Sequence, residues 1–425
     1  MTAATPPDRA ENSGGPPARV GLLIGSLEAG GAQRVALGLA RDLLEAGWEV
    51  RLLLLNPDRE MALPGDAAMQ SALEARLVVL GGSSVRAATI AKALWFPRLH
   101  RRLARAVAAH RLTIVVSFME RANLLNLLGA RSVPRVISVR KQISVALADK
   151  PAFKRWLIVN AYPRLLRRAA AIVLNAEASA VDFARRFAVA RTQLTVIPNP
   201  VDRAIVQQAK VPPVGPAADL LGPNTVVSVG RLVGAKGQVP LLRAFARTVQ
   251  SAPQARLVIV GDGPLRDHLS TLAQALGIGA RVGFAGFQSN PYPWIAGAGA
   301  FALSSRAEGF PNALLEAMAL GRACVAADCP SGPRELLAPD TPVDRVAAGI
   351  EAAAAGILVP PMPQDDLDAK APLTPAEHAL AEALTRLLRD PDLSQQLRTG
   401  ALDRAASFTP ARWQRVISAS VSREP

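Results

Sequence analysis

Residues 304–333 read SSRAEGFPNALLEAMALGRACVAADCPSGP, and the fold follows from how this stretch must be housed. Between Asn312 and Leu320 only Asn312 and Glu316 are polar, so a short helix here needs apolar cover around nearly its whole circumference. Glu316 then sits inside that cover. An ionised carboxylate is costly there unless donors meet it, so the residue predicts specific partners. Glu308 stands in the loop that feeds the helix, with Gly309, Phe310 and Pro311 following it. Proline suits a helix start because its missing N–H would be unpaired there anyway, and such a start leaves outward-pointing amides for an anion. Loop acid, glycine, proline-started helix and buried acid together point to a pocket for a polyhydroxylated, phosphate-bearing ligand. The plainer alternative is a solvated Glu308 and a Glu316 that pairs with some arginine; the stretch alone leaves both open.

The run EGFPNALLE, with Glu308 and Glu316 at its ends, resembles the signature of the retaining nucleotide-sugar glycosyltransferases of family 4. Their fold is GT-B: α/β, with two Rossmann-like parallel-sheet domains facing across a cleft. The likeness continues through Pro330, Ser331, Gly332, Pro333, Arg334 and Glu335. It implies that Glu308 lies by the donor sugar, that Gly309, Phe310, Pro311 and Asn312 line the donor site, and that Glu316 holds the ribose hydroxyls.

The chain of 425 residues is long enough for two domains, each with its own core. Half of it is hydrophobic but only 4% is aromatic, the Ala, Leu and Val balance of an α/β enzyme. No stretch is apolar enough for a transmembrane helix. Residues 1–18 read as a disordered tail without a signal-peptide core, so a cytoplasmic location is expected. Cys324 and Cys329 read as reduced core thiols. The net charge of +15 is uneven: residues 1–200 hold 28 Lys and Arg against 14 Asp and Glu, the remainder 21 against 20. A basic half suits nucleic acid or an anionic membrane.

Residues 20–24 form a strand, GSLEAGGAQR follows, and Val35, Leu39, Leu43 and Ala46 recur at helical spacing before a second strand at 50–55. Gly30 and Gly31 fall at the helix start, where backbone amides approach a phosphate or sugar, or where two glycines merely punctuate. No G-x-G-x-x-G is present, which disfavours a dehydrogenase. The segment resembles the family's GG-x-x-R-V loop, which lies by donor and acceptor.

Arg98, Arg101, Arg102 and Arg105 share one helical face, after Trp95 and Phe96 and opposite Leu99, Leu103 and Val107. This face either docks on anionic lipid at the inner face of the membrane or is simply solvated. Arg164, Arg167 and Arg168 form a second cluster, and the resemblance favours lipid because many relatives use lipid-linked acceptors. Ser117 to Asn123 resembles a cleft-lining S-x-x-x-R-A-N segment, which makes Glu120 and Arg121 acceptor-side candidates; Arg140 and Lys141, after a strand at 136–139, would face acceptor phosphate. A strand at 171–174 reads as the last of the first sheet. Many relatives place a histidine near the reacting sugar, a role that none of His100, His110, His268 and His378 takes over by position.

The second half alternates strand and helix, with strands at 225–229, 256–260, 281–285, 300–303, 323–326 and 357–359, which argues for a parallel sheet. After its first strand comes GRLVGAKG, where Gly230, Arg231 and Lys236 suit a diphosphate; the resemblance assigns these cations to the donor diphosphate. Gly261-Asp262-Gly263-Pro264 ends the next strand as in the family, which puts Gly261 on the donor side, or is a simple tight turn, and Gly286 to Ser289 reads as a contact for the base. Asp365, Asp366 and Asp368 read as a solvated acidic loop, and no metal or cofactor is expected.

The division predicted is 1–18 tail, 19–202 N-terminal acceptor-binding domain, 203–223 linker, 224–405 C-terminal nucleotide-sugar-binding domain, and 406–425 a helix that crosses back to the first domain, as in relatives. The expected activity is retaining transfer of a hexosyl or N-acetylhexosaminyl unit from a UDP- or GDP-sugar to a glycan or lipid-linked acceptor hydroxyl, with Glu308, Arg231 and Lys236 as the catalytic set. The rivals are a nucleotide-sugar epimerase and a basic nucleic-acid-binding protein. The second is disfavoured because no motif interleaves aromatics with the arginines.

Overall fold

A computed structural model describes residues 18–28, 30–81, 89–148, 150–202, 204–363 and 369–422, with 89–97 described by backbone alone. The chain forms two seven-stranded sheets. The first holds β1 (Arg19–Ile24), β2 (Glu49–Leu54), β3 (Leu77–Val79), β4 (Ile114–Phe118), β5 (Arg135–Val139), β6 (Ala171–Leu174) and β7 (Leu194–Val196), in the order β3-β2-β1-β4-β5-β6-β7. The second holds β8 (Gly222–Val229), β9 (Arg256–Val260), β10 (Val282–Gly286), β11 (Ala298–Leu303), β12 (Ala323–Ala327), β13 (Glu351–Ala353) and β14 (Gly356–Val359), in the order β10-β9-β8-β11-β12-β14-β13. Every pairing is parallel except β13 with β14. Helices cover both faces, which is why runs such as IVVSF in β4 and ACVAA in β12 are buried at every position.

Three readings change. The first sheet does not end at β6, because Leu194–Val196 adds β7 beside it. β8 starts at Gly222 rather than at residue 225. Edge strand β13 lies in the alanine-rich stretch 351–355, which carries no strand alternation to read.

Both sheets reverse strand order at one point, between β1 and β4 and between β8 and β11. Ligands of open parallel sheets gather outside the carboxyl ends of the strands at such a reversal. The chain leaves β1 into residues 25–31, β8 into 230–237 and β11 into 304–311, so three of the predicted motifs sit at reversals, while Arg140, Gly261 and Pro330 follow β5, β9 and β12. The last helix, Ala411–Val421, packs on the first sheet: Trp413 is 1% exposed in the cluster that holds Leu22, Val116 and Phe118, with its ring 5.6 Å from that of Phe118.

Candidate active site at the domain seam

Two loops of the second sheet interlock through backbone. Gly230 N–H donates to the Val260 carbonyl and Leu232 N–H to that of Asp262, each at 2.9 Å. Gly261, at φ +139°, passes so close that an added Cβ would stand 2.0 Å from the Gly230 carbonyl oxygen. Only glycine fits both that torsion and that approach. Lys236 closes the short turn Gly234–Lys236, and its Nζ donates to Glu308 Oε1 at 2.6 Å. The Glu308 side chain is 10% exposed, that of Lys236 30%. Glu308 is therefore not a solvated loop acid. Arg231 is exposed, and among the described residues its guanidinium makes no hydrogen bond or ion pair.

Helix Asn312–Ala319 buries Leu314, Leu315, Glu316, Ala317 and Met318, as its composition requires. Glu316 pairs with an arginine across the seam, as the plainer alternative had it: Arg34 Nη1 donates to Glu316 Oε1 at 2.6 Å. The carboxylate of Glu316 holds the Arg34 guanidinium above its ordinary range. Burial, with the Glu316 charge nearby, pushes the Tyr292 phenol up. Asn312 Nδ2 donates to the Gly31 carbonyl at 3.4 Å, and Asn199 bonds both Asn312 and Arg140. Arg140 is 7% exposed, its Nη1 has no partner, and burial pulls its guanidinium down to about 10, still charged at neutral pH. Gly309 lies against the Arg140 backbone, where an added Cβ would stand 2.1 Å from the carbonyl oxygen.

The seam continues beyond the signature helix. Glu335 accepts from the N–H groups of Glu177 and Ala178, at 2.6 and 3.0 Å, which seats a carboxylate on the amino end of helix Glu177–Phe187. Ser331 Oγ lies 2.8 Å from Ser179 Oγ. A cleft of about 400 Å³ opens here, lined in part by Gln142, Asp182, Arg185, Arg306, Ser331 and Arg345.

The structure thus places the predicted residues at the seam in separate bonded sets, Lys236 with Glu308, Glu316 with Arg34, and Asn312 with Gly31 and, through Asn199, with Arg140, while Gly309 lies against the Arg140 backbone, Gly30 is exposed beside Gly31 and Pro311 stands at the amino end of the signature helix. Phe310 is spent on packing against Phe408, at 5.7 Å between rings. Glu120 and Arg121 open helix Glu120–Gly129, and no described bond joins either side chain to this set. Asn123 is consumed by buried bonds to Ser117 and to the Ser138 carbonyl. His100 and His110 bond Leu128 and Arg51. Asp365, Asp366 and Asp368 lie outside the described residues; among those described, no three His, Cys, Asp or Glu cluster as a metal site. Sequence reading held Arg34 only as the arginine of the GG-x-x-R-V loop, without a role of its own, and missed Asn199 and Tyr292. Arg34 had a signal, since it stands three positions after Gly31 and so on the same face of helix Gly31–Glu45.

Two facing Rossmann-like sheets, with their reversal loops meeting at one seam, define the GT-B fold. The first half, residues 29–204, matches Glycosyltransferase Family 4, and residues 218–370 match Glycosyl transferases group 1, so each of the two domains is similar to a glycosyltransferase domain. Similar proteins include an uncharacterized glycosyltransferase of Methanocaldococcus jannaschii, 30% identical over 59% of this chain and 63% of that protein. They also include the N-acetylgalactosamine-N,N'-diacetylbacillosaminyl-diphospho-undecaprenol 4-alpha-N-acetylgalactosaminyltransferase of Campylobacter jejuni, 28% identical over 76% of this chain and 84% of that one. Among solved structures, Anabaena HepE in complex with UDP and glucose superposes with a TM-score of 0.71 at 20% identity, covering 95% of this chain and 99% of that chain.

Proposed function

We propose that the protein transfers a hexosyl or N-acetylhexosaminyl unit from a UDP- or GDP-sugar to a hydroxyl of a lipid-linked glycan acceptor, with retention of anomeric configuration. In this reading Arg231 and Lys236 take the donor diphosphate, Glu308 the sugar and Glu316 the ribose hydroxyls. Fixed cations aimed at the leaving diphosphate stabilise charge as it develops. The acceptor hydroxyl attacks on the leaving-group face and passes its proton toward the departing phosphate. Arg140, charged and without an acid of its own, supplies a buried seat for an acceptor phosphate oxygen. Water exclusion by the closed seam suppresses hydrolysis of the donor.

The observation that carries this reading is the double bridge, Lys236 to Glu308 within the second domain and Arg34 to Glu316 between domains, at the reversal points of both sheets. A lipid-linked acceptor is supported by the name of the Campylobacter relative, which describes a diphospho-undecaprenol substrate.

The test incubates the protein with a panel of UDP- and GDP-sugars, with and without a polyprenyl-diphosphate-linked glycan, and reads nucleoside diphosphate release and product configuration by NMR. One donor is expected to give acceptor-dependent release and an α-linked product from an α-linked donor. Silence toward every donor and acceptor, or inversion, overturns the proposal. Conversion of donor alone into an epimer transfers the case to the epimerase reading.

A further inference from the structure

Helix Ala152–Leu166 has two apolar faces, of which only one is covered among the described residues. Its inner face carries Ile158, Val159, Tyr162, Leu165 and Leu166, packed on the cluster that holds Phe183 and Phe187, with the Tyr162 and Phe187 rings 5.4 Å apart. The opposite face carries Phe153, Trp156 and Leu157, then Asn160 and Arg164, spaced as a single helical stripe. Phe153 is 71% exposed, Trp156 62% and Leu157 47%. One exposed apolar side chain is ordinary; three contiguous ones, two of them aromatic, mark a surface that something covers.

The surroundings say what covers it. Lys150, Lys154, Arg155, Arg164, Arg167 and Arg168 are half-buried or exposed around the stripe, and residues 140–168 hold eight Lys and Arg against one acid, Asp149. A wedge of aromatic and aliphatic groups in a basic rim matches the headgroup layer of a bilayer, where such rings settle at the interface and cations meet lipid phosphate. Among the described residues no helix is long and apolar enough to span a membrane. The arginine face of helix Thr89–Ala109 differs: Arg98, Arg101 and Arg105 are exposed, but Leu99 and Leu103 point into the core and Arg102 donates to the Leu80 carbonyl, so this face offers charge without a described apolar side chain to insert.

We propose that Phe153, Trp156 and Leu157, flanked by Lys150, Lys154 and Arg164, insert into the interfacial layer of an anionic lipid bilayer. The placement is functional as well as physical. Helix Ala152–Leu166 is the second helix of the crossover from β5 and leads into β6 at Ala171, so its end lies by the amino edge of the sheet and its start, with the stripe, lies away from that edge, toward the side where Arg140 meets Gly309. A membrane docked there meets the acceptor side of the seam. That last step rests on the lipid-linked acceptor proposed above; the docking itself does not.

The experiment is flotation of the full chain with vesicles of phosphatidylglycerol mixed with phosphatidylcholine, against phosphatidylcholine alone. The wild type is expected to float with the anionic vesicles only, and brominated phospholipid is expected to quench its tryptophan fluorescence. The triple variant Phe153→Ser, Trp156→Ser, Leu157→Ser should bind at least ~10-fold more weakly, with an unchanged circular-dichroism melt, and Trp156→Phe should bind yet lose most of the quenching. Arg101→Glu with Arg105→Glu should weaken binding less than the triple variant does. Equal flotation of wild type and triple variant overturns the proposal, as does loss confined to the arginine pair. So does a wild type that ignores both vesicles, whether or not sedimentation shows that the stripe is covered by a second copy of the chain. Donor turnover is measured in parallel, so that a protein that docks without any glycosyl transfer leaves this inference standing while the activity falls.

Discussion

Three acid–cation pairs in this protein have almost the same length and opposite surroundings. Arg243 and Glu377 meet at 2.6 Å with both side chains 1% exposed. Arg243 also donates to the carbonyls of Ala371 and Pro372, and Glu377 accepts from the N–H and hydroxyl of Thr374 as part of a capping box. Both charges are met by the protein itself. At the seam, Arg34 with Glu316 and Lys236 with Glu308 also lie at 2.6 Å, but there the acids are 9% and 10% exposed while the cations stand at 37% and 30%. The acid is housed and the cation is partly open to solvent. A ligand can replace half of such a pair without leaving a charge stranded in apolar packing, which the interior pair does not permit. Bond length therefore separates nothing here; what separates a staple from a site is which member water can reach.

The comparison breaks most visibly at the interior pair. Glu377→Ala leaves the Arg243 guanidinium unpaired in a dry core and removes the cap of helix Pro375–Arg389, and should cost ~3–5 kcal/mol of stability, read as a fall in the denaturant midpoint of the second domain. A loss within ~1 kcal/mol, the range of a solvated pair, would dissolve the distinction. Next in size comes Lys236→Ala. If Lys236 meets the leaving diphosphate, turnover should fall ~10²–10³-fold, while the melting temperature moves only a few degrees, because water enters where the ammonium stood. An equal fall of stability and no fall of turnover would make this pair a second staple.

How much of this was legible beforehand depends on the distance over which each partner lies. Glu308 and Glu316 could be read because their spacing is local and a helix apolar all round makes its single acid conspicuous. Lys236 could be placed beside the seam from a glycine-bounded loop after a strand, whereas Arg231 in the same loop meets no described partner. The partner of Glu316 could be required but not named: Arg34 is 282 positions away, and a chain with 49 Lys and Arg offers many candidates. Asn199 was invisible for the same reason, since its role comes from bridging Arg140 and Asn312. Gly309 showed as a glycine, but the Arg140 carbonyl that forbids a Cβ there belongs to the other domain. Asn123 failed in the other direction, sitting at a strand end where ligands gather yet turned inward to Ser117 and Ser138. Strands β3, β7 and β13 have three residues each, too few for a period to appear.

The smallest effect is the most discriminating. Arg34 and Glu316 join the two domains, so a naive count would assign this bridge a large share of their cohesion. Its arginine, however, is 37% exposed, and an ion pair with one arm in water gains little over two solvated charges. Arg34→Ala should therefore change stability by no more than ~1 kcal/mol, and the difference from wild type should shrink further in high salt, because screening weakens what the bridge contributes. Donor affinity must then be measured on the same variant by calorimetry. Should Arg34→Ala unfold the protein as Glu377→Ala does, Glu316 is held as a buried structural acid and the ribose loses its place; should the fold stand and only nucleotide-sugar binding change, the seam pair is the exchangeable kind.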